Sequence, residues 1–67
     1  MITQIGIVAG EIWNYLETHK KADYTENIVK KIGKPRELVL MSLGWLAREG
    51  HIVMEGALSN QKVALRV

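Results

Sequence analysis

The sequence predicts a mainly α, α+β domain: three helices followed by a β-hairpin. Three observations carry that prediction. Apolar residues recur at three- and four-residue spacing from Ile5 to Leu16 and again from Val39 to Leu46, the period of a helix with one buried face. Glycine and proline punctuate the chain at Gly33, Pro35 and Gly50, where helices stop and start. Beyond Gly50 the period changes to two: Val63, Leu65 and Val67 alternate with Lys62, Ala64 and Arg66, as on a half-buried strand. With 67 residues, positions 1–67 make one small domain, near the lower size limit for folding alone.

The first helix is expected over residues 3–18. Ile5, Val8, Ala9, Ile12 and Leu16 form its core stripe, and Thr3 is positioned to cap its start. Trp13 and Tyr15 flank the stripe, and Ile7 falls on the opposite side. Gly6 and Gly10 are four apart, so they share one side. Each costs up to about 1 kcal/mol relative to alanine in a helix interior. Either they are tolerated beside a strong stripe, or they let another helix come close. Lys20 and Lys21 read as solvated charges at the helix C-terminus, which cations suit.

Ala22 to Tyr24 has room for a very short strand. Asp23-Tyr24-Thr25-Glu26 has the form of a capping box, with the cap at Asp23 or one residue later. The second helix then runs to Ile32, with Ile28, Val29 and Ile32 inward and Lys30 and Lys31 outward. Gly33 stops it, since glycine takes a left-handed backbone angle without steric cost. Pro35 opens the third helix at its first position, where a missing N–H has no partner to lose. Gly50 follows its end. His51 to Glu55 and Gln61 to Val67 are the hairpin strands, joined by a turn over 56–60.

Helix, tight glycine turn, helix and hairpin is the order of a winged helix-turn-helix. The stretch ADYTENIVKKIGKPRELVLMSLGWLAREGHIV resembles the helix-turn-helix and first wing strand of such proteins generally. The segment LGWLAREG, together with EIWNYL, resembles a family of small bacterial and archaeal winged helix-turn-helix proteins classed as a domain of unknown function. The resemblance covers nearly the whole chain and implies the fold. It brings no established activity and no catalytic residues.

The third helix carries the functional question. Val39, Ser42, Leu43 and Leu46 cluster on the side expected to face the other helices. The remaining surface holds Arg36, Glu37, Leu40, Met41, Gly44, Trp45 and Arg48, with Leu38 beside Met41 and Trp45. A helix that reads a major groove presents polar and basic side chains to base edges and phosphates. Here the middle of that surface is apolar, and a helix apolar nearly all round is a buried helix. The sequence therefore predicts a protein interface at Leu38, Leu40, Met41, Gly44 and Trp45, with Gly6 and Gly10 contributing. A homodimer is the simplest assembly, another protein is the alternative partner, and no small-molecule substrate is evident. The competing reading folds Trp45 back onto the wing strands or second helix as part of a monomer core.

DNA binding is the rival function. Its contacts would be Lys34, Arg36 and Arg48 around the third helix and Lys62 and Arg66 in the wing, with Lys30 and Lys31 also able to reach phosphates. Such contacts bring affinity without sequence information. Against this reading, the net charge is only +2, Glu37 sits among the basic residues, and the wing tip GALSN is uncharged. Enzymatic chemistry has no support: no nucleophile–base–acid set, paired carboxylates or phosphate loop is present. There is no cysteine, and His19 and His51 lack metal-ligand spacing, so no metal or cofactor is expected. His51 most simply begins a strand. With no transmembrane-length apolar run and no signal-peptide pattern, a soluble cytoplasmic protein is expected.

Overall fold

The computed structural model describes residues 2–19 and 22–66. Its elements are α1 (Ile2–Thr18), β1 (Ala22–Tyr24), α2 (Thr25–Ile32), α3 (Arg36–Arg48), β2 (Ile52–Glu55) and β3 (Lys62–Leu65). The strands form one antiparallel sheet in the order β1-β3-β2. Val63 pairs with Asp23 on one side and Met54 on the other. The short strand expected at Ala22 to Tyr24 is thus the third member of the wing sheet, and it bonds to the returning strand from the far end of the sequence.

The core lies where the helices meet the inner face of that sheet. Val8, Ala9, Ile12 and Leu16 come from α1, Ile28 from α2, and Val39, Leu43 and Leu46 from α3. Ile52 and Val63 close it from the sheet. Each predicted stripe reaches this cluster, although Ile5 is only half-buried, since it lies toward the outer end of α1. Val29, Ile32 and Leu65 pack against the cluster without being enclosed. Ile7 is exposed as expected.

The helix ends show which sequence signals tertiary contacts replace. Thr3 lies within α1 and does not cap it. The N-cap of α2 is Tyr24, the later of the two expected positions, and the capping box of Asp23 and Glu26 does not form, since there is no side-chain cap. Its free N–H groups bond instead to the far end of the wing. Thr25 donates its N–H to the Gln61 carbonyl (2.9 Å), and Glu26 donates its N–H to Asn60 Oδ1 (3.0 Å). Pro35 occupies the cap position of α3, one residue before the expected place, and its carbonyl accepts the Val39 N–H.

At the other end of α3, Gly50 has φ +79°. Its N–H donates to Ala47 O, and that of His51 to Leu46 O. These are the paired bonds of a glycine-stopped helix end, so His51 finishes the helix and β2 begins one residue later. β3 is likewise shorter than expected, from Lys62 to Leu65. The readings at Lys20, Lys21 and Val67 lie outside the described residues.

Candidate protein-interaction face

In α3, the period of the helix sorts buried from open residues. Val39, Ser42, Leu43 and Leu46 are buried against α1 and the rest of the core. Ser42 fits there because its hydroxyl donates to the Leu38 carbonyl at 2.7 Å, so its burial leaves no bond unmade. On the outer side, Leu40 (38% exposed), Met41 (41%) and Trp45 (48%) face outward. Gly44 lies between them, also exposed.

Trp45 is half exposed and is not a member of the core cluster. It lies beside α1, where it borders Ile2, Ile5 and Gly6. It also forms one wall of a groove of about 370 Å³ lined by Gly6, Ala9, Gly10, Trp13, Leu46 and His51. Gly6 and Gly10 thus meet Trp45 on one surface. A Cβ added at Gly6, Gly10 or Gly44 would have no neighbour within 4 Å. The chain's own packing therefore does not demand glycine at these positions.

The rest of the predicted interface is divided. Leu38 is half-buried and borders Gln4, Ile7, Val8, Lys34 and Pro35, a different flank of α1 from the one against Trp45. Leu40 follows Arg36 by one turn, and Arg36 reaches Glu26 of α2, so Leu40 is on the α2 side. Helical geometry puts it about 140° around α3 from Trp45. Met41 is one turn before Trp45 and extends the groove side. Of the expected interface residues, Gly6, Gly10 and Trp45 line the groove, Met41 and Gly44 are exposed outside its lining, and Leu38 and Leu40 lie farther away.

Trp13 and His51 also line the groove, and Ile2 and Ile5 border the adjoining hollow beside Trp45; none of the four is in the interface expected from sequence. For Trp13 the signal was present: it follows Gly6 by seven and Gly10 by three, the spacing of one helix face. His51 carried no such signal. It reaches the groove only because the glycine stop at Gly50 turns the chain there.

Two of the candidate DNA-contacting cations are paired with carboxylates. Lys34 pairs with Glu11 of α1 at 3.8 Å, and Arg36 pairs with Glu26 of α2. The Arg36 hydrogen bond holds the Glu26 carboxyl below its ordinary value, and Glu26 raises Arg36 in turn. The two cations at the N-terminus of α3 are therefore neutralised locally, by pairs exposed enough to contribute little stability. Arg48 stands at the other end of α3, Lys62 begins β3 and Arg66 follows its end, all exposed. Lys62 is opposite Tyr24 and Glu55.

A polar cluster occupies the junction of α1, β1 and α2. Asp23 is buried and accepts from Tyr15 Oη (2.5 Å), Asn27 Nδ2 (2.6 Å) and the Tyr24 N–H (2.8 Å). The hydrogen bond to Asp23, with burial and the nearby negative charge, pushes the Tyr15 phenol up to about 12. This is a closed structural knot: its carboxylate joins three elements. Among the described residues no group of three His, Cys, Asp or Glu side chains could hold a metal ion, and no helix is long and apolar enough to cross a membrane.

Comparison with known proteins agrees with this architecture. The sequence model of a family described as a winged helix-turn-helix domain (DUF2582) matches residues 1–66. The chain is also similar to an uncharacterized protein, MJ1608, of Methanocaldococcus jannaschii. The two are 42% identical over 50 residues, covering 73% of this chain and 71% of that protein.

Proposed function

Because the chain belongs to the DUF2582 family of winged helix-turn-helix domains, whose fold leaves function open, we propose that it acts by protein association. The partner is a second copy of itself, bound through the α1–α3 face, and the domain is non-enzymatic. One observation supports this reading: α1 and α3 leave open between them an apolar groove walled by Trp13 and Trp45 and floored by glycine and alanine. Six of the nine large hydrophobic residues exposed among the described residues lie on these two helices: Ile2, Ile7 and Trp13 on α1, and Leu40, Met41 and Trp45 on α3.

Magnitudes favour pairing. Burying a side chain of this size is worth roughly 1.5–3 kcal/mol, against the few kcal/mol of net stability a core this small supplies. Tryptophan is also a frequent interface hot spot. A standard interface covers roughly 800 Å² per partner, under a fifth of the 4498 Å² surface of the described residues. Pairing through this face is compatible with that size.

DNA binding is the less favoured reading. Lys34 and Arg36, the cations best placed at the start of α3, already hold Glu11 and Glu26. The middle of the helix offers Leu40, Met41 and Trp45 where base readout needs donors and acceptors.

Mass measurement in solution across a concentration series tests the proposal. The wild-type chain is expected to be dimeric in the micromolar range. Trp45→Arg should weaken dimerisation by about 30-fold or more, the scale of a hot-spot loss. A wild-type chain that stays monomeric at high micromolar concentration sinks the homodimer. Tight, steeply salt-dependent binding to mixed duplex DNA, abolished by neutralising Lys34, Arg36 and Arg48, would put the DNA reading in its place.

A further inference from the structure

The hairpin linking β2 to β3 ends in an unusual tip. Its residues, Gly56-Ala57-Leu58-Ser59-Asn60, carry no charge, in a chain with nine basic and seven acidic residues. Leu58 at the apex is 94% exposed, the most exposed large hydrophobic residue described. Cations add the electrostatic part of phosphate-backbone binding; this tip has none, and its apex is an aliphatic knob. Nothing in the chain's own fold uses it.

The groove beside α1 has the complementary defect. It is walled by Trp13 and Trp45, floored by Gly6 and Gly10, and bordered by His51. No acidic or basic side chain except that imidazole lines it. Both glycines face open space, so the floor lies low for no reason internal to the monomer.

We propose that the wing tip of each copy docks in this groove of the other, with Leu58 seated between the partner's two tryptophans. The inference rests on the homodimer reading and names the segment that fills the groove. Three features support a second copy as the occupant. Knob and hole are both uncharged, so no ion is desolvated when they meet. A twofold axis makes the contact twice, so one exposed leucine per chain closes two grooves. The wing also leaves directly from the end of α3 through β2, whose four residues reach about 13 Å. A pair packed near the middle of α3 would thus extend each wing over its partner.

The chain has no cysteine, so engineered thiols report proximity cleanly. Leu58→Cys and Gly10→Cys chains are prepared separately, mixed and oxidised under mild conditions. The expected product is a covalent dimer containing one chain of each kind. Leu58→Asp, a change at a fully open position that the fold does not depend on, should weaken dimerisation by about tenfold or more and leave thermal unfolding of the monomer unchanged. If Gly10→Cys chains instead cross-link to one another and Leu58→Asp still pairs like wild type, then α1 of the partner fills the groove; wing docking is overturned and the homodimer stands. If the wild-type chain is monomeric throughout, the homodimer reading itself falls, and wing docking with it.

Discussion

The α1–β1–α2 junction and the α1–α3 groove lie at two sides of the same first helix and follow opposite rules. At the junction every strong group is used. Asp23 accepts from Tyr15, Asn27 and the Tyr24 backbone, and α2 takes its cap from the distant wing. Among the described residues no buried side-chain nitrogen or oxygen lacks a hydrogen-bond partner. At the groove, large apolar groups stay half-open and glycine positions are unfilled. The difference follows from the cost of each omission. An unmade buried hydrogen bond costs about 1–3 kcal/mol, so a single chain must close it. Exposed apolar surface can wait for a partner, provided the rest of the core holds. The junction thus serves folding, and the groove is the surface we propose for association.

The largest expected effect separates the two regions by stability. Asp23→Ala should cost roughly 1.5–3 kcal/mol of folding stability, the range for hydrogen bonds to a charged group, as read by denaturant melts. A loss below about 0.5 kcal/mol would mean that the knot does not join the three elements. Trp45→Arg belongs to the other region and should move the dimer equilibrium far more than the melt of the monomer.

A smaller effect of opposite sign is expected on the groove floor. Gly6→Ala or Gly10→Ala meets no neighbour in the monomer and replaces glycine inside a helix. Each should stabilise the monomer by up to about 1 kcal/mol, in melts recorded below the dimerisation range. The same variants should weaken pairing, because the floor of the groove rises. A glycine variant that destabilised the monomer would show that the close approach is internal to the single chain.

The smallest effect is spectroscopic. Tyr15 is pushed up to about 12 by its bond to Asp23, against about 10 for a free phenol. Its folded value is raised, so the associated stability is complete below the unfolded value near pH 10 and is lost as pH rises from there toward about 12. Ultraviolet titration should show a phenolate transition near pH 12 that Tyr15→Phe removes. Asp23→Asn, which keeps the shape but not the charge, should bring that transition down. A Tyr15 transition already complete near pH 10 would mean that the hydrogen bond does not hold in solution.

Local signals made most of the fold legible. The stripes Val8-Ala9-Ile12-Leu16 and Val39-Ser42-Leu43-Leu46 predicted which faces are buried, because helical period alone decides which side chains share a face. Gly33 and Gly50 announced their helix ends, because a positive φ is a property of one residue. Asp23 shows where local reading stops. Followed three residues later by Glu26 it has the form of a cap, but its carboxylate turns to Tyr15 and Asn27, and Glu26 turns to Arg36. Asn60, which caps α2 from 34 positions away, carries no mark of that role, because a partner so distant in sequence meets the helix only after the sheet has closed.

The candidate site divides in the same way. An excess of apolar residues on the third helix was plain in Leu40, Met41 and Trp45, because three large groups spread around a helix exceed what one buried stripe holds. Which of them act together was not plain. Helical period settles the direction of a side chain from its own axis, not what stands opposite. Only the packing of α3 against α1 put Trp45 on one groove with Gly6 and Gly10 and added Trp13. That packing also left Leu38 on the other flank of α1 and turned Leu40 toward α2. The sequence by itself determined the elements, their buried faces and the greasy character of the third helix, all of which depend on neighbours within a turn or two. The tertiary structure decided where the groove lies and which side chains wall it, because those depend on how helices cross and on contacts between residues far apart in the chain.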